Sequence, residues 1–163
     1  MKRAILMFIA AASSILIWRH SMSTDAAPAV AYPDGYRNWS HVRSGAIGPT
    51  NQNFDRMGGF QHIYANEQAL AGYRTRQFPE GSVVVVDWFE MREQAGAFSE
   101  GPRRQLDVMV KDSKRYAATG GWGFQRFVQD SKTELAAAPT PQDCFACHDR
   151  LKKDGLVLSQ YRQ

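Results

Sequence analysis

From Ser82 to Phe89 the chain reads Ser-Val-Val-Val-Val-Asp-Trp-Phe. Four successive β-branched residues make this its strongest predicted strand. Arg104 to Lys111 alternates, with Leu106, Val108 and Val110 on one face and Asp107 and Lys111 on the other, and predicts a second strand. After a turn at Thr119-Gly120-Gly121, Trp122 to Val128 predicts a third, in which Gly123 permits the close approach of another backbone. Helical signals are fewer. Asn66 is a good N-cap for a short helix that fades at Gly72, and Phe78-Pro79-Glu80-Gly81 is a turn. A linker from Ala136 to Gln142 leads to a C-terminal helix from about Asp143, an N-cap candidate, to Lys153, ended by Gly155. Leu156-Val157-Leu158 then closes the domain as a strand or a packed tail. Tyr32 to Gly48 opens the domain with Trp39 and His41, the stretch from Gly48 to Gly59 is loop-like, and Met91 to Pro102 is a polar connection. The expected class is α+β: mainly antiparallel β-sheet with a short helix and a C-terminal helix. A four-helix bundle needs long segments of period 3.6, and Val83–Phe89 and Trp122–Val128 are poor material for it.

The N-terminus adds a targeting segment. Lys2 and Arg3 precede an uncharged run from Ala4 to Trp18, shorter than the roughly 18–20 apolar residues of a comfortable membrane span. Ala29-Val30-Ala31 is a cleavage site of the A-x-A type. The expected division is a signal peptide over 1–31 and one domain over 32–163. The long gap after Trp18 and the flanking Arg19 and His20 leave an uncleaved anchor, and so membrane attachment, as the alternative. Either route implies export, to the periplasm of a bacterium. The net charge of +4 falls to +2 beyond Ala31, and no basic run interleaves with aromatics, which gives nucleic-acid binding no support.

The chemistry lies in Cys144-Phe145-Ala146-Cys147-His148, which holds the chain's only two cysteines. Cys-x-x-Cys-His is the attachment signature of a c-type haem: two thiols form thioethers with the vinyl groups and the histidine ligates the iron. Positions i, i+3 and i+4 share one helical face, so all three side chains reach one porphyrin edge. The competing readings are weaker. A structural zinc site wants four Cys or His ligands, and a disulfide oxidoreductase wants a βαβ context. The expected cofactor is therefore one haem c, held by Cys144, Cys147 and His148, with His148 as the iron ligand.

Three further segments resemble the cytochrome P460 family: His62-Ile63-Tyr64-Ala65-Asn66, Phe78-Pro79-Glu80-Gly81 running into the valine strand, and Gly120-Gly121-Trp122-Gly123-Phe124. The likeness spans about Trp39 to Tyr161 and preserves the order of the segments. It implies an antiparallel β fold around one c-type haem, five-coordinate iron with an open distal side, and homodimerisation. The family's P460 enzymes oxidise hydroxylamine and carry a lysine cross-linked to the porphyrin. Its cytochromes c′-β lack that link and bind small gases, notably nitric oxide, under a phenylalanine cap. This chain has no lysine between Lys2 and Lys111, and where the resemblance places the cross-link it offers Val86, Asp87, Trp88 and Phe89. That departure favours the c′-β branch.

By the same resemblance Phe60 and Phe89 are the candidates for the distal cap. Any sixth ligand would have to come from Met57, Met91, Met109, His41 or His62, and the spacing recommends none of them. Arg104, Arg115 and Arg126 are candidates for pairing with haem propionates. Glu90, Glu93 and Glu100 are candidates for the proton-transfer carboxylate of an enzyme, although surface placement suits all three. The function expected is a periplasmic cytochrome that binds nitric oxide or carbon monoxide, with a periplasmic redox partner. The alternatives are an oxidoreductase acting on hydroxylamine or nitric oxide, and a simple electron carrier.

Overall fold

A computed structural model describes residues 30–162; the signal-peptide expectation lies outside them apart from Val30 and Ala31. Five strands, β1 (Ser40–Ile47), β2 (Gly59–Ala65), β3 (Val83–Gln94), β4 (Ala97–Lys111) and β5 (Trp122–Val128), form one antiparallel sheet in chain order. The helices are α1 (Phe54–Met57), α2 (Glu67–Thr75) and α3 (Pro141–His148), the last running into a 3₁₀ segment, Asp149–Asp154. The α+β expectation holds.

The valine run now has a cause. Val84 and Val85 are 2% and 0% exposed yet point to opposite faces, because the sheet is covered on both sides. A strand buried on both faces needs no polar alternation. On one face α2 and the C-terminal tail cover Ala65, Val84, Met109 and Trp122. On the other, the segment entering β1 brings Val30 and Tyr36 against Val85, Leu106, Val108 and Phe127. Asp87 points to this second face. It is 1% exposed and accepts from Tyr36 Oη (2.5 Å), Arg37 (2.9 Å) and Arg103 (2.6 Å). That cluster pins the entering segment to the centre of β3.

Three expectations change. Met91 to Pro102 is no loose connection: β3 and β4 pair through it, and Ala95 and Gly96, both at positive φ, make the turn. The hairpin projects beyond the covering layers, so both its faces are wet and no alternation marks it. The Asn66-capped helix runs through Gly72 to Thr75, because the absent Cβ lets Phe78 pack against the helix. The C-terminal helix is capped by Thr140, with Asp143 as the third residue of a reciprocal capping box, and its α part stops at His148. Of the two alternatives for Leu156–Leu158, the structure takes the packed tail.

Candidate functional site

The site is built on α3. Eight residues make a weak isolated helix, so its ends and contacts must hold it. Asp143 N–H donates to Thr140 Oγ1 (3.3 Å), Thr140 N–H and O–H donate to Asp143 Oδ2 (2.9 and 2.7 Å), and Pro141 supplies a preset first turn. Phe145 and Cys144 pack on the α2 side of the sheet, at β5. Both thiols are free, Cys147 is exposed, and Cys144 is half-buried. Burial pushes the Cys144 thiol up to about 11.

His148 ends α3. Its ring lies 5.1 Å from that of Phe124, and its Nδ1 is 2.6 Å from the Leu156 carbonyl. A carbonyl only accepts, so Nδ1 carries the proton and Nε2 keeps its lone pair. Burial lowers the pKa of His148, which favours the neutral, ligating form. The carbonyl is itself held in place. Gly155 and Leu156 both adopt φ of 67°, turning the chain back toward His148. Arg76, the C-cap of α2, donates to the carbonyls of Val157 (2.7 Å) and Ser159 (3.0 Å), and Trp122 Nε1 donates to that of Gly155 (3.1 Å). A side chain at Gly155 would meet the Arg76 carbonyl at 2.8 Å.

Beside α3, α2 leaves half of the same sheet face uncovered. Val86 and Asp107 are register partners there, and Asp107 is register partner of Arg126, which binds it with two N–H groups at 2.6 and 2.8 Å. Farther along, Arg43, Gly45, Gln61 and Ile63 border a cavity of about 190 Å³ under Leu158 and Ser159. Leu158 is 54% exposed, an apolar side chain with only water to meet. Trp88, on the same face, is 6% exposed, and its indole N–H has no partner. A buried donor left so calls for an acceptor. These observations fit a haem: paired free thiols, an imidazole with one nitrogen fixed, a partly covered stretch of sheet with Val86 and Ile63 beside the Asp107–Arg126 pair, and an unpartnered indole N–H on the same face.

The expected site residues separate. Cys144, Cys147 and His148 come together. Phe60 and Phe89 pair with each other across β2 and β3, but on the opposite face, where Phe89 contacts His62 (5.7 Å) and the guanidiniums of Arg37 and Arg103. The fold does not bring them to the α3 shelf. Of the three arginines, only Arg126 lies on the shelf; Arg104 donates to the carbonyls of Gly58 and Asp55, and Arg115 lies over Tyr116. His41 and His62 share the face opposite α3, and Met109 is buried in the core. Glu90, Glu93 and Glu100 are exposed. Asp107, Arg76 and Trp88 escaped notice: Asp107 had only its position opposite Leu106 and Val108 to mark it, and Arg76 and Trp88 act through contacts that sequence spacing does not carry.

Compared with known proteins, residues 33–159 match a family model described as Cytochrome P460. A search of curated proteins finds no significant match.

Proposed function

The chain belongs to the cytochrome P460 family, and from that premise we propose that it is an exported mono-haem c-type cytochrome that binds a small neutral gas, nitric oxide first, on five-coordinate iron. The observation that carries this is the pairing of His148, its Nδ1 fixed on the Leu156 carbonyl, with an adjoining stretch of sheet formed by Val86, Asp107 and Arg126, while Met109 on the same face is buried in the core. A bound haem supplies an iron that takes a diatomic ligand and exchanges one electron.

The chain's own residues then have distinct tasks. Cys144 and Cys147 would anchor the ring, each thiol adding its sulfur to one vinyl carbon and its hydrogen to the other. His148 would hold the iron through Nε2, and the Leu156 carbonyl keeps the ring of His148 in one tautomer. Ile63 and Val86 keep water off the shelf and donate no hydrogen bond, which suits a neutral ligand better than one needing a polar partner. Arg126 keeps the Asp107 carboxylate occupied with two N–H bonds, so the one acid on the shelf is not a free base. Hydroxylamine oxidation needs proton acceptance, and the family's enzymes add a lysine cross-link; Lys111 instead binds the Gly120 carbonyl and lies over Trp122.

Acid–acetone extraction after maturation with a c-haem assembly system tests the anchoring. Haem is expected to stay on the polypeptide and to be released when both Cys144 and Cys147 are changed to Ala. Free extraction from the unaltered protein overturns the proposal. Hydroxylamine turnover with an artificial acceptor is expected to be absent, and steady turnover would restore the enzyme.

A further inference from the structure

We propose that His41 and His62 form a second metal site, for a divalent late first-row ion such as Cu²⁺, on the sheet face away from α3. The two imidazoles converge on one atom. Ser44 Oγ lies 2.9 Å from His41 Nε2 and 2.7 Å from His62 Nδ1. The backbone arranges this deliberately. Ser44 is register partner of His62, and a bulge between His41 and Arg43 turns Val42 into the core, leaving His41 and Ser44 on the same outer face.

The hydrogen-bond directions follow from chemistry. His62 Nε2 lies 2.6 Å from Glu100 Oε1, and a carboxylate accepts, so His62 carries its proton on Nε2. In the neutral ring its Nδ1 lone pair then points at Ser44. A histidine that gives one N–H to a carboxylate and aims the other nitrogen outward has the arrangement of a metal ligand with its supporting carboxylate, which fixes the ring and raises its basicity. Ser44 donates to His62 Nδ1 and accepts from His41 Nε2–H. Metal binding then needs His41 to move its proton to Nδ1, its ring to approach, and the Ser44 hydroxyl to release both hydrogen bonds. The ring centroids stand 6.4 Å apart, and closing on one ion takes roughly 1 Å of movement by an exposed side chain on an edge strand.

Among the described residues no group of three or more His, Cys, Asp or Glu side chains is arranged to hold a metal ion. The site is thus an open one: two nitrogens, the Ser44 hydroxyl within reach, and the remaining positions filled by water. Imidazole pairs of this kind favour Cu²⁺ over the other divalent first-row ions. The site is independent of the haem reading, because His148 and both cysteines lie on the other face and are engaged in the loaded protein.

The test is titration of ferric, haem-loaded full-length protein with Cu²⁺, followed by calorimetry and by electron paramagnetic resonance, where copper resolves from high-spin haem. One ion per chain is expected, bound more tightly than about 10 μM, with hyperfine structure from two nitrogens. His41→Ala and His62→Ala should each weaken binding at least about tenfold, and Glu100→Gln by about 10–100-fold, the usual effect of losing a supporting carboxylate. Unaltered affinity in both His41→Ala and His62→Ala overturns the proposal, as does one nitrogen or none in the unaltered protein's spectrum. An unchanged haem spectrum in each variant shows that the fold survives.

Discussion

Replacing Asp87 by Asn should cost more stability than any other single change of comparable size on the face away from α3. The carboxylate is 1% exposed and serves three donors: Tyr36 Oη, Arg37 and Arg103. The amide keeps the shape but cancels the charge. Arg37 is 55% exposed, so its partner can be water, and its share is under about 1 kcal/mol. Arg103 is only 10% exposed and would keep a single carboxylate, Asp130, itself 81% exposed. Removing one partner of a buried pair costs about 3–5 kcal/mol, and the surviving Asp130 contact places this case near about 3 kcal/mol. At about 2.1 cal/mol/K per residue, a domain of about 130 residues should lose about 11 °C in Tm. The order among variants is as telling as the size. Tyr36→Phe, which removes a hydrogen bond to a charged group, should cost about 1.5–3 kcal/mol, and Arg37→Ala less than about 1 kcal/mol. Urea titration of the haem-loaded protein gives each value, with a native haem spectrum expected throughout. A loss below about 1 kcal/mol for Asp87→Asn, or a larger one for Arg37→Ala, would refute the claim that this carboxylate pins the entering segment.

Gly155→Ala forces a side chain into the Arg76 carbonyl at a φ of 67°; it should destabilise by about 1–3 kcal/mol and shift the iron–histidine stretching frequency, because the carbonyl bound to His148 moves with it. Thr140→Ala removes the cap of α3 and should cost about 1 kcal/mol by urea titration. The Thr140 hydroxyl and backbone N–H hold the Asp143 carboxyl below its ordinary value, so their stabilisation is full above the usual aspartate range and is lost as pH falls through the lowered value; acid titration of stability should show this component shrink in Thr140→Ala, where the backbone N–H alone remains. Val86→Phe should slow nitric oxide association several-fold in stopped flow by filling the shelf, whereas Phe89→Ala, on the other face, should leave the rate unchanged; the reverse pattern would return the distal cap to Phe60 and Phe89.

What the sequence disclosed depended on how local the signal was. The three strands with apolar faces were legible because valine runs and alternation are local, and Cys144, Cys147 and His148 because their chemistry is one helical turn long. β1 was missed: its bulge at Val42 breaks the alternation, and as an edge strand most of its residues are wet. The outer half of the β3–β4 hairpin was missed because both its faces meet solvent. The shelf was invisible for a different reason. Val86, Asp107 and Arg126 meet only through the pairing of three strands. Phe60 and Phe89 were chosen by resemblance, and which face a strand residue takes turns on a register that single residues do not announce.

In the proposed cytochrome His148 would hold the haem iron without a second protein ligand. The absorption spectrum of the dithionite-reduced protein, before and after one equivalent of nitric oxide, tests it most directly. A broad high-spin ferrous spectrum that converts at once to the nitrosyl form is the predicted result. A sharp low-spin, six-coordinate spectrum before any gas is added would contradict it and make the chain an electron carrier.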